Sequence, residues 1–533
     1  MTSQAEMSDR RLAAIDLGTN SIHMIVVEIN PHLPSFTAIA TEKDTIRLGE
    51  RCASTGRLQE SAMLRAMHTL ERFRDICHSL KVEEIVAVAT SAVREAPNGQ
   101  EFLEQIRDAL GLEVELISGQ EEARRIYLGV LSAMTLYEQR HVIMDIGGGS
   151  TELILGNGHE PEFLSSTKVG AVRLTDMFLA SDPIQPAELD RLRFYVRGMM
   201  ERPVEELRQL LKDEPVRLIG TSGTIEAIAS LIAKEKLGEI PNPLQGYQVK
   251  WTEIQALSER LAQMSLTQRL ELLKGRRGEI IVAGITILGE TMAMLGAEAI
   301  TVCSRALREG LIVDWMIRHG LIEDRLRFQA SVRDRSILKL VHKYHIHEQS
   351  AKWIARHAMS LFDQTKGILH NWGQEQREYL WAAAMLHNAG HHINHSAHHK
   401  HSYYLIRYDE ELLGYTDSEL EIIANLARYH RKSEPKKKHE NFQRLAHDTD
   451  RLFVRQASSL LRLAVALDRR QIGAVSEAYL ICDLRAHQAE LRLIPRDPSD
   501  PCTLELWSID YKKVPFEKEF GLTLQPQISH SDK

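Results

Sequence analysis

The 533-residue sequence has little that would tie it to a membrane, a disulfide framework or a nucleic acid. No stretch approaches the ~18 uninterrupted apolar residues that a membrane span needs. Its five cysteines, at 52, 77, 303, 482 and 502, form no CxxC pair and no metal-ligand spacing. An odd, scattered set fits a reducing compartment and not a disulfide scaffold. The opening MTSQAEMSDRR lacks the apolar core of a secretory signal, so a cytoplasmic location is expected. Positive charge is not in excess either. With a net charge of −7, the surface as a whole would not attract a polyanion, and an anionic ligand needs a local basic cleft. Neither a membrane nor a nucleic acid is expected as a partner.

What is present fits an ordinary globular protein: 43% of residues are hydrophobic and 26% charged. The length implies several domains, because a single core rarely grows past about 250–300 residues. Strand-like runs at 12–17, 22–29, 36–42, 84–90 and 112–117 alternate with helical patterns at 59–80, 100–110 and 119–135. The alternation resumes with strands at 141–146, 150–155, 163–169, 216–220 and 299–303. Helices are predicted over 186–212, 223–235, 252–264, 279–295 and 305–319. Both halves therefore read as α/β. After Gly320 the texture is nearly all helix to about 472, and fifteen of the 24 histidines fall between His342 and His447. The final AYLICDLRAHQAELRLIP and CTLELWSIDYKKVPFEKEFGLTL read as strand-like runs of a small α/β module. The expected domains are 11–135, 136–318, 319–472 and 473–533.

One pattern occurs twice. In LAAIDLGTNSIHMIV (12–26) and HVIMDIGGGSTELIL (141–155), Asp16 aligns with Asp145, Gly18 with Gly147, Ser21 with Ser150 and His23 with Glu152. Each reads as strand, tight turn, strand, with an acid at the rim. The turns Gly18-Thr19-Asn20-Ser21 and Gly147-Gly148-Gly149-Ser150 can bring backbone N–H groups against a phosphate, since glycine allows positive φ and carries no Cβ. Asp16 and Asp145 cannot usefully touch a phosphate, but they can hold a hard cation that bridges to it. Glu152 shares the hairpin face of Ser150 by the period of two.

In ISGQEEARR (117–125), Ser118 and Glu121 have the spacing of a capping box, which commits Glu121 to a structural duty. Glu122, about 100° further round the helix, is spare and is a candidate general base for water. ATSAVREAPN (89–98) places Thr90, Ser91 and Arg94 near the carboxyl end of a strand, where α/β sheets bind ligands. Arg94 is a candidate phosphate clamp, with an ordinary surface arginine as the alternative. LIGTSGTIEAIA (218–229) repeats strand, glycine turn, helix. Gly220, Ser222, Gly223 and Thr224 there are either a further phosphate site or a packing turn. SRALREG (304–310) offers Arg308, for phosphate or for a helix salt bridge.

DLGTNS, ATSAVREAPN, ISGQEEAR, DIGGGSTEL, GTSGT and ALREG, in this order and spacing, resemble the exopolyphosphatase/guanosine pentaphosphate phosphatase family, within the actin-like, Hsp70-like and sugar-kinase-like superfamily. The resemblance covers about 12–315. It implies two duplicated ribonuclease-H-like domains whose hairpin turns close on the end of a polyphosphate. It also implies Glu122 as catalytic glutamate, Asp145 and Glu152 as magnesium-associated acids and Arg94 as a phosphate-binding arginine; the hairpin reading adds Asp16 to the metal candidates. Glu279 stands where family members often carry Asp.

Within 383–406, AAMLHNAGHHINHSAHHKHSYYLI, the histidine pattern and the later LLRLAVALDRR resemble HD-type phosphohydrolases, with His357, His387, Asn388 and Asp468 at the ligand positions. Asn388 replaces the required Asp, and an amide oxygen is a far weaker ligand for a hard dication. An HD-like helical domain walling a channel for a polyanion is expected instead. His398, His399, Lys400, His401, Arg428, His430, Arg431 and Lys432 are its candidate donors, against solvated loops and core histidines as the alternative. The leading expectation is a Mg²⁺-dependent exopolyphosphatase acting on inorganic polyphosphate. The rivals are a 5′-phosphatase of guanosine pentaphosphate, a silent polyphosphate or alarmone sensor, and a small-molecule kinase on the same fold. A homodimer is expected by the general prevalence of symmetric assemblies.

Overall fold

The computed structural model of the protein describes residues 10–30, 35–50, 55–322, 332–409 and 411–529; Cys52 lies outside them. Two compact units divide the chain, Met1–Val332 and Arg333–Lys533. Cys77, Cys303, Cys482 and Cys502 are free thiols. Among the described residues, no helix is long and apolar enough to cross a membrane.

The first unit holds two sheets. Arg10–Leu17 (β1), Ser21–Asn30 (β2), Ser35–Thr45 (β3), Glu84–Ala89 (β4) and Val114–Leu116 (β5) lie in the order β3-β2-β1-β4-β5. His141–Ile146 (β6), Thr151–Gly156 (β7), Phe163–Thr167 (β8), Leu218–Thr221 (β9), Gln248–Lys250 (β10) and Ala299–Val302 (β11) are ordered β10-β11-β9-β6-β7-β8. Taken from β8, the second sheet repeats the first. Three antiparallel strands joined by hairpins are followed by two parallel ones, and β10 is added at the far edge. The two halves are ribonuclease-H-like duplicates. Strands β6 and β7 are buried almost end to end, as continuous apolar strands covered on both faces must be.

Helix Gly119–Leu131 and its counterpart in the second half, Leu307–Arg318, cross backbone to backbone. A Cβ on Gly310 would fall on the Arg125 carbonyl, and one on Gly129 on the Ala306 carbonyl, so only glycine permits the approach. Both helices share one core with Leu12, Ile25 and Val27 of the first sheet and Ile143, Ile154 and Ile219 of the second. Truncating such a side chain to alanine costs about 2–5 kcal/mol. Glu122 therefore stands on a helix clamped between two sheets. Short elements escaped the periodicity of the sequence: β10 and helices Ser91–Arg94, Ala171–Phe178 and Leu266–Leu272.

The second unit is helical through Asp448–Leu467, then forms Val475–Asp483 (β12), Gln488–Pro495 (β13) and Thr523–Ile528 (β14), ordered β12-β13-β14. One apolar core runs from Ile337 and Leu340 to Leu491 and Leu524. The segment CTLELWSIDYKKVPFEKEF is not strand-like: it forms helices Thr503–Lys512 and Val514–Phe520. Ile509 and Phe516 turn inward while Trp507 and Tyr511 face out, a helical spacing that a short apolar run hides. The outer edge of β12 is capped by side chains. Gln364 donates to the Ala478 carbonyl at 2.9 Å and accepts from Leu480 N at 2.7 Å, blunting an edge that could otherwise pair with another chain.

Candidate active site

The two hairpins close identically. Gly18 N donates to the Ser21 carbonyl at 3.1 Å, and Gly147 N to the Ser150 carbonyl at 2.9 Å. Asp16 pairs across its hairpin with His23, and Asp145 with Glu152. The turns meet face to face. A Cβ on Gly148 would lie 3.0 Å from Thr19 Cβ, and one on Gly149 2.7 Å from Thr19 Oγ1 and 2.6 Å from Ser91 Oγ. None of these turn glycines has positive φ. For Gly148 and Gly149 the glycine requirement is the close approach of one half to the other, and for Gly18 and Gly147 it is the carbonyl that closes their own hairpin, Ser21 at 2.9 Å and Ser150 at 3.1 Å from the added Cβ.

The contact floors a cleft of about 430 Å³. Both turns line it, as do Asp16, Glu122, Asp145 and Glu152, Ser222, Gly223 and Thr224 of the third turn, and Arg308. Ser222 has a φ of 95°, uncommon outside glycine, and its Oγ is buried with no hydrogen-bond partner. Arg94 is placed differently. It does not line this cleft, but lies behind Glu122, its Nη1 donating to Glu122 Oε2 at 3.1 Å and to the Ile117 carbonyl at 2.8 Å.

The division between the two adjacent glutamates is visible. Only half of the expected capping box forms: Ser118 Oγ accepts from Glu121 N at 3.1 Å, opening the helix, but the Glu121 side chain does not return to Ser118 N. The Glu121 carboxylate is held by Arg124 and Arg125, which pull it down to about 2. Glu122 is 7% exposed, and its carboxyl is raised by burial against the opposing pull of Arg94. Burial, followed by the Glu122 charge, pushes both Asp16 and Asp145 up to about 7. Glu152 is raised well above the usual carboxylate range, by burial and then by Glu122 and Asp145, while accepting from Ser166 Oγ at 2.7 Å. Asp16 Oδ1 is buried without a partner. Among the described residues, no group of three or more His, Cys, Asp or Glu side chains is arranged to hold a metal ion alone.

The Ppx/GppA phosphatase family model matches residues 25–319, and the model for domain III of that family matches 332–513. The chain belongs to the Ppx/GppA phosphatase family. An exopolyphosphatase from Cytophaga hutchinsonii is 29% identical over 58% of this chain and 98% of its own, with a TM-score of 0.54. The Aquifex aeolicus Ppx/GppA family member is 27% identical over 59% of this chain and 99% of its own, with a TM-score of 0.49.

This Ppx/GppA phosphatase adds residues to the cleft that its sequence did not announce. Lys43 on β3, His23, Glu226 and Arg277 all line it. Arg277 lies over the third turn, where its Nη2 would be 2.4 Å from a Cβ on Gly223. Burial, then the charges of Arg308, Lys43 and Arg277, lowers His23 to about 3, so it is neutral. Burial, then Arg277 and Arg308, lowers Lys43. The only early sign of this wall was His23, already aligned with Glu152. Lys43 and Arg277 sit in no motif. Glu279 forms an ion pair with Arg47.

In the domain III region, the HD-type positions serve the fold. His357 Nε2 lies 3.2 Å from the Val475 carbonyl, and Asp468 accepts from Ser350 Oγ at 2.7 Å and Gly473 N at 2.8 Å. His387 is fully buried and bonded through Nδ1 to the Ala384 carbonyl. His399, Lys400, Arg428, Arg431 and Lys432 do gather: burial and then those four cations lower His399 to about 4. Lys436 and Lys438 extend the group past His439. His401 is partly exposed next to them. His430 stands apart, 2% exposed, bonded to the Ala427 carbonyl and 3.3 Å from His398 Nε2.

Proposed function

We propose that this phosphatase is a Mg²⁺-dependent exopolyphosphatase that releases orthophosphate from the end of inorganic polyphosphate. The observation that carries the reading is the meeting of the two turns, Thr19 against Gly148 and Gly149, beside the Asp16, Glu122, Asp145 and Glu152 carboxylates and a wall of Lys43, Arg277 and Arg308. Amides, hydroxyls and cations suit a repeating phosphate chain. Among the described residues no Phe, Tyr or Trp lines the cleft, where His23 is the one aromatic ring.

The donor set fits a hard cation. Asp16 Oδ1 lacks a partner, and two aspartates held near 7 are relieved by added positive charge. Asp145 and Glu152, with Asp16, would hold Mg²⁺, which usually binds one or two carboxylates plus phosphate and keeps waters elsewhere. When bound, the ion supplies charge neutralisation at the phosphoryl oxygens. The chain does the rest. Amides of the Gly18–Ser21 and Gly147–Ser150 turns orient the terminal phosphoryl group. Arg94 occupies Glu122 Oε2, leaving Oε1 to orient a water and take its proton. The water oxygen bonds to phosphorus in line as the P–O bond to the chain breaks, and the electron pair leaves on the bridging oxygen. The cations around His399, in the second unit, would offer a polyanion a contact of their own.

Phosphate release with Mg²⁺, measured side by side on long-chain polyphosphate and guanosine pentaphosphate, tests the reading. Fast release from polyphosphate is expected. The reverse ranking would make the enzyme a 5′-phosphatase of the nucleotide, and no release from either would make it a sensor.

A further inference from the structure

Behind the wall that carries Glu122 lies a second cavity of about 450 Å³, lined by Arg94, Gly119, Ser165, Ser166, Lys168 and Arg202 among others. It shares Ser150 with the cleft. A single layer of side chains separates the two, and two hydrogen bonds cross it. Arg94 Nη1 meets Glu122 Oε2 at 3.1 Å, and Ser166 Oγ meets Glu152 Oε1 at 2.7 Å. The glutamates line the cleft, while the arginine and serine line the cavity. At the outer end the Lys168 and Arg202 side chains are 65% and 89% exposed, so the cavity reaches solvent by its own mouth.

We propose that this cavity is the exit for the released orthophosphate, separate from the mouth that admits the polymer; the proposal rests on the hydrolytic reading of the cleft. In-line attack places the water opposite the leaving chain. The new phosphate is therefore formed on the Glu122 side, against the Arg94 layer, while the shortened chain still fills the cleft. Leaving through the cleft would require the chain to withdraw first. The second cavity is closed off by side chains, Arg94 on Glu122 and Ser166 on Glu152, and side-chain rotations are fast motions. Its charges suit passage over storage. Arg94, Lys168 and Arg202 draw an anion, but Lys168 lies 3.6 Å from Glu95 and Arg202 2.8 Å from Glu206, so neither cation is free to hold it tightly. A chain that need not let go between cleavages is degraded processively.

Product inhibition of the full-length enzyme tests this without mutation. With a separate exit, added orthophosphate enters while polyphosphate is bound, and inhibition is not competitive with polyphosphate. Strict competition would overturn the proposal. Two variants give an independent reading: Ser165→Trp, which fills the cavity, and the double change Lys168→Glu with Arg202→Glu, which reverses its mouth. In rapid-quench experiments both should complete a first turnover at the wild-type rate, then run at least ~10-fold slower, about 1.4 kcal/mol of added barrier to release. Wild-type steady-state rates in both variants, or loss of the first turnover in both, would refute a role in release. A wild-type enzyme that freed no phosphate from either substrate would refute the hydrolytic reading itself, a different failure.

Discussion

Replacing Asp145 with asparagine should stabilise the metal-free protein while impairing the enzyme. Asp145 is 8% exposed, and burial, then Glu122 and Asp16, lifts its carboxyl from 3.8 to about 7. At about 1.4 kcal/mol per tenfold change in affinity, that corresponds to roughly 4 kcal/mol at most. Water in the open cleft screens the repulsion, so roughly 2–4 kcal/mol is expected. The sign follows from proton binding. Between about pH 4 and 7 the folded state keeps a proton that the unfolded chain has released, so this group's contribution to stability falls as pH rises through that window and stays low above it. Asparagine cannot ionise and escapes the loss. In thermal unfolding with EDTA, Asp145→Asn should melt several degrees above wild type at pH 8, taking roughly 2 °C per kcal/mol for a large unit. At pH 5 the gap should shrink to roughly 1 kcal/mol, because the wild-type carboxyl then holds its proton. Millimolar Mg²⁺ should raise the wild-type melting temperature more than that of the variant. A variant melting at or below wild type at pH 8, or gaining equally at both pH values, would refute the repulsion argument.

Glu122→Gln should lower kcat at least ~10², the usual worth of a general base, with polyphosphate binding retained; near-normal turnover would remove Glu122 from that role. The Mg²⁺ concentration giving half-maximal activity should rise as pH drops from 8 to 6, approaching about tenfold per pH unit below 7 for each carboxyl that must release its proton and so about a hundredfold for the two together, because Asp16 and Asp145 then take protons that compete with the ion. A pH-independent value would place the ion elsewhere. Gly149→Ala should cost roughly 1–3 kcal/mol by overpacking, since its Cβ would lie 2.6 Å from Ser91 Oγ. It should also lower phosphate release; a fully active, equally stable variant would mean that the two turns need not touch.

What the sequence determined by itself was local. Both hairpins, their shared Asp and Ser positions and the helix opened by Ser118 are encoded within stretches of about fifteen residues, where turn chemistry and strand period act on neighbours. The separation of Glu121 from Glu122 was legible for the same reason. Helix geometry sets their angle before anything packs against them. Only the tertiary structure decided which long-range partners meet there. Lys43 and Arg277 carry no motif and enter the cleft because β3 and the segment after Leu266–Leu272 are folded against it. Arg94 was recognisable as a candidate from its place after a strand. Its position behind Glu122 follows from how the Thr90–Arg94 turn packs against Ile117 and Ser118. The C-terminal helices look strand-like in sequence because a short apolar run has no period long enough to distinguish the two. Packing of Ile509 and Phe516 into the core chose the helix. His430 lies inside the domain for a like reason: a histidine's chemistry is the same in either place, and burial depends on contacts its neighbours in sequence do not specify.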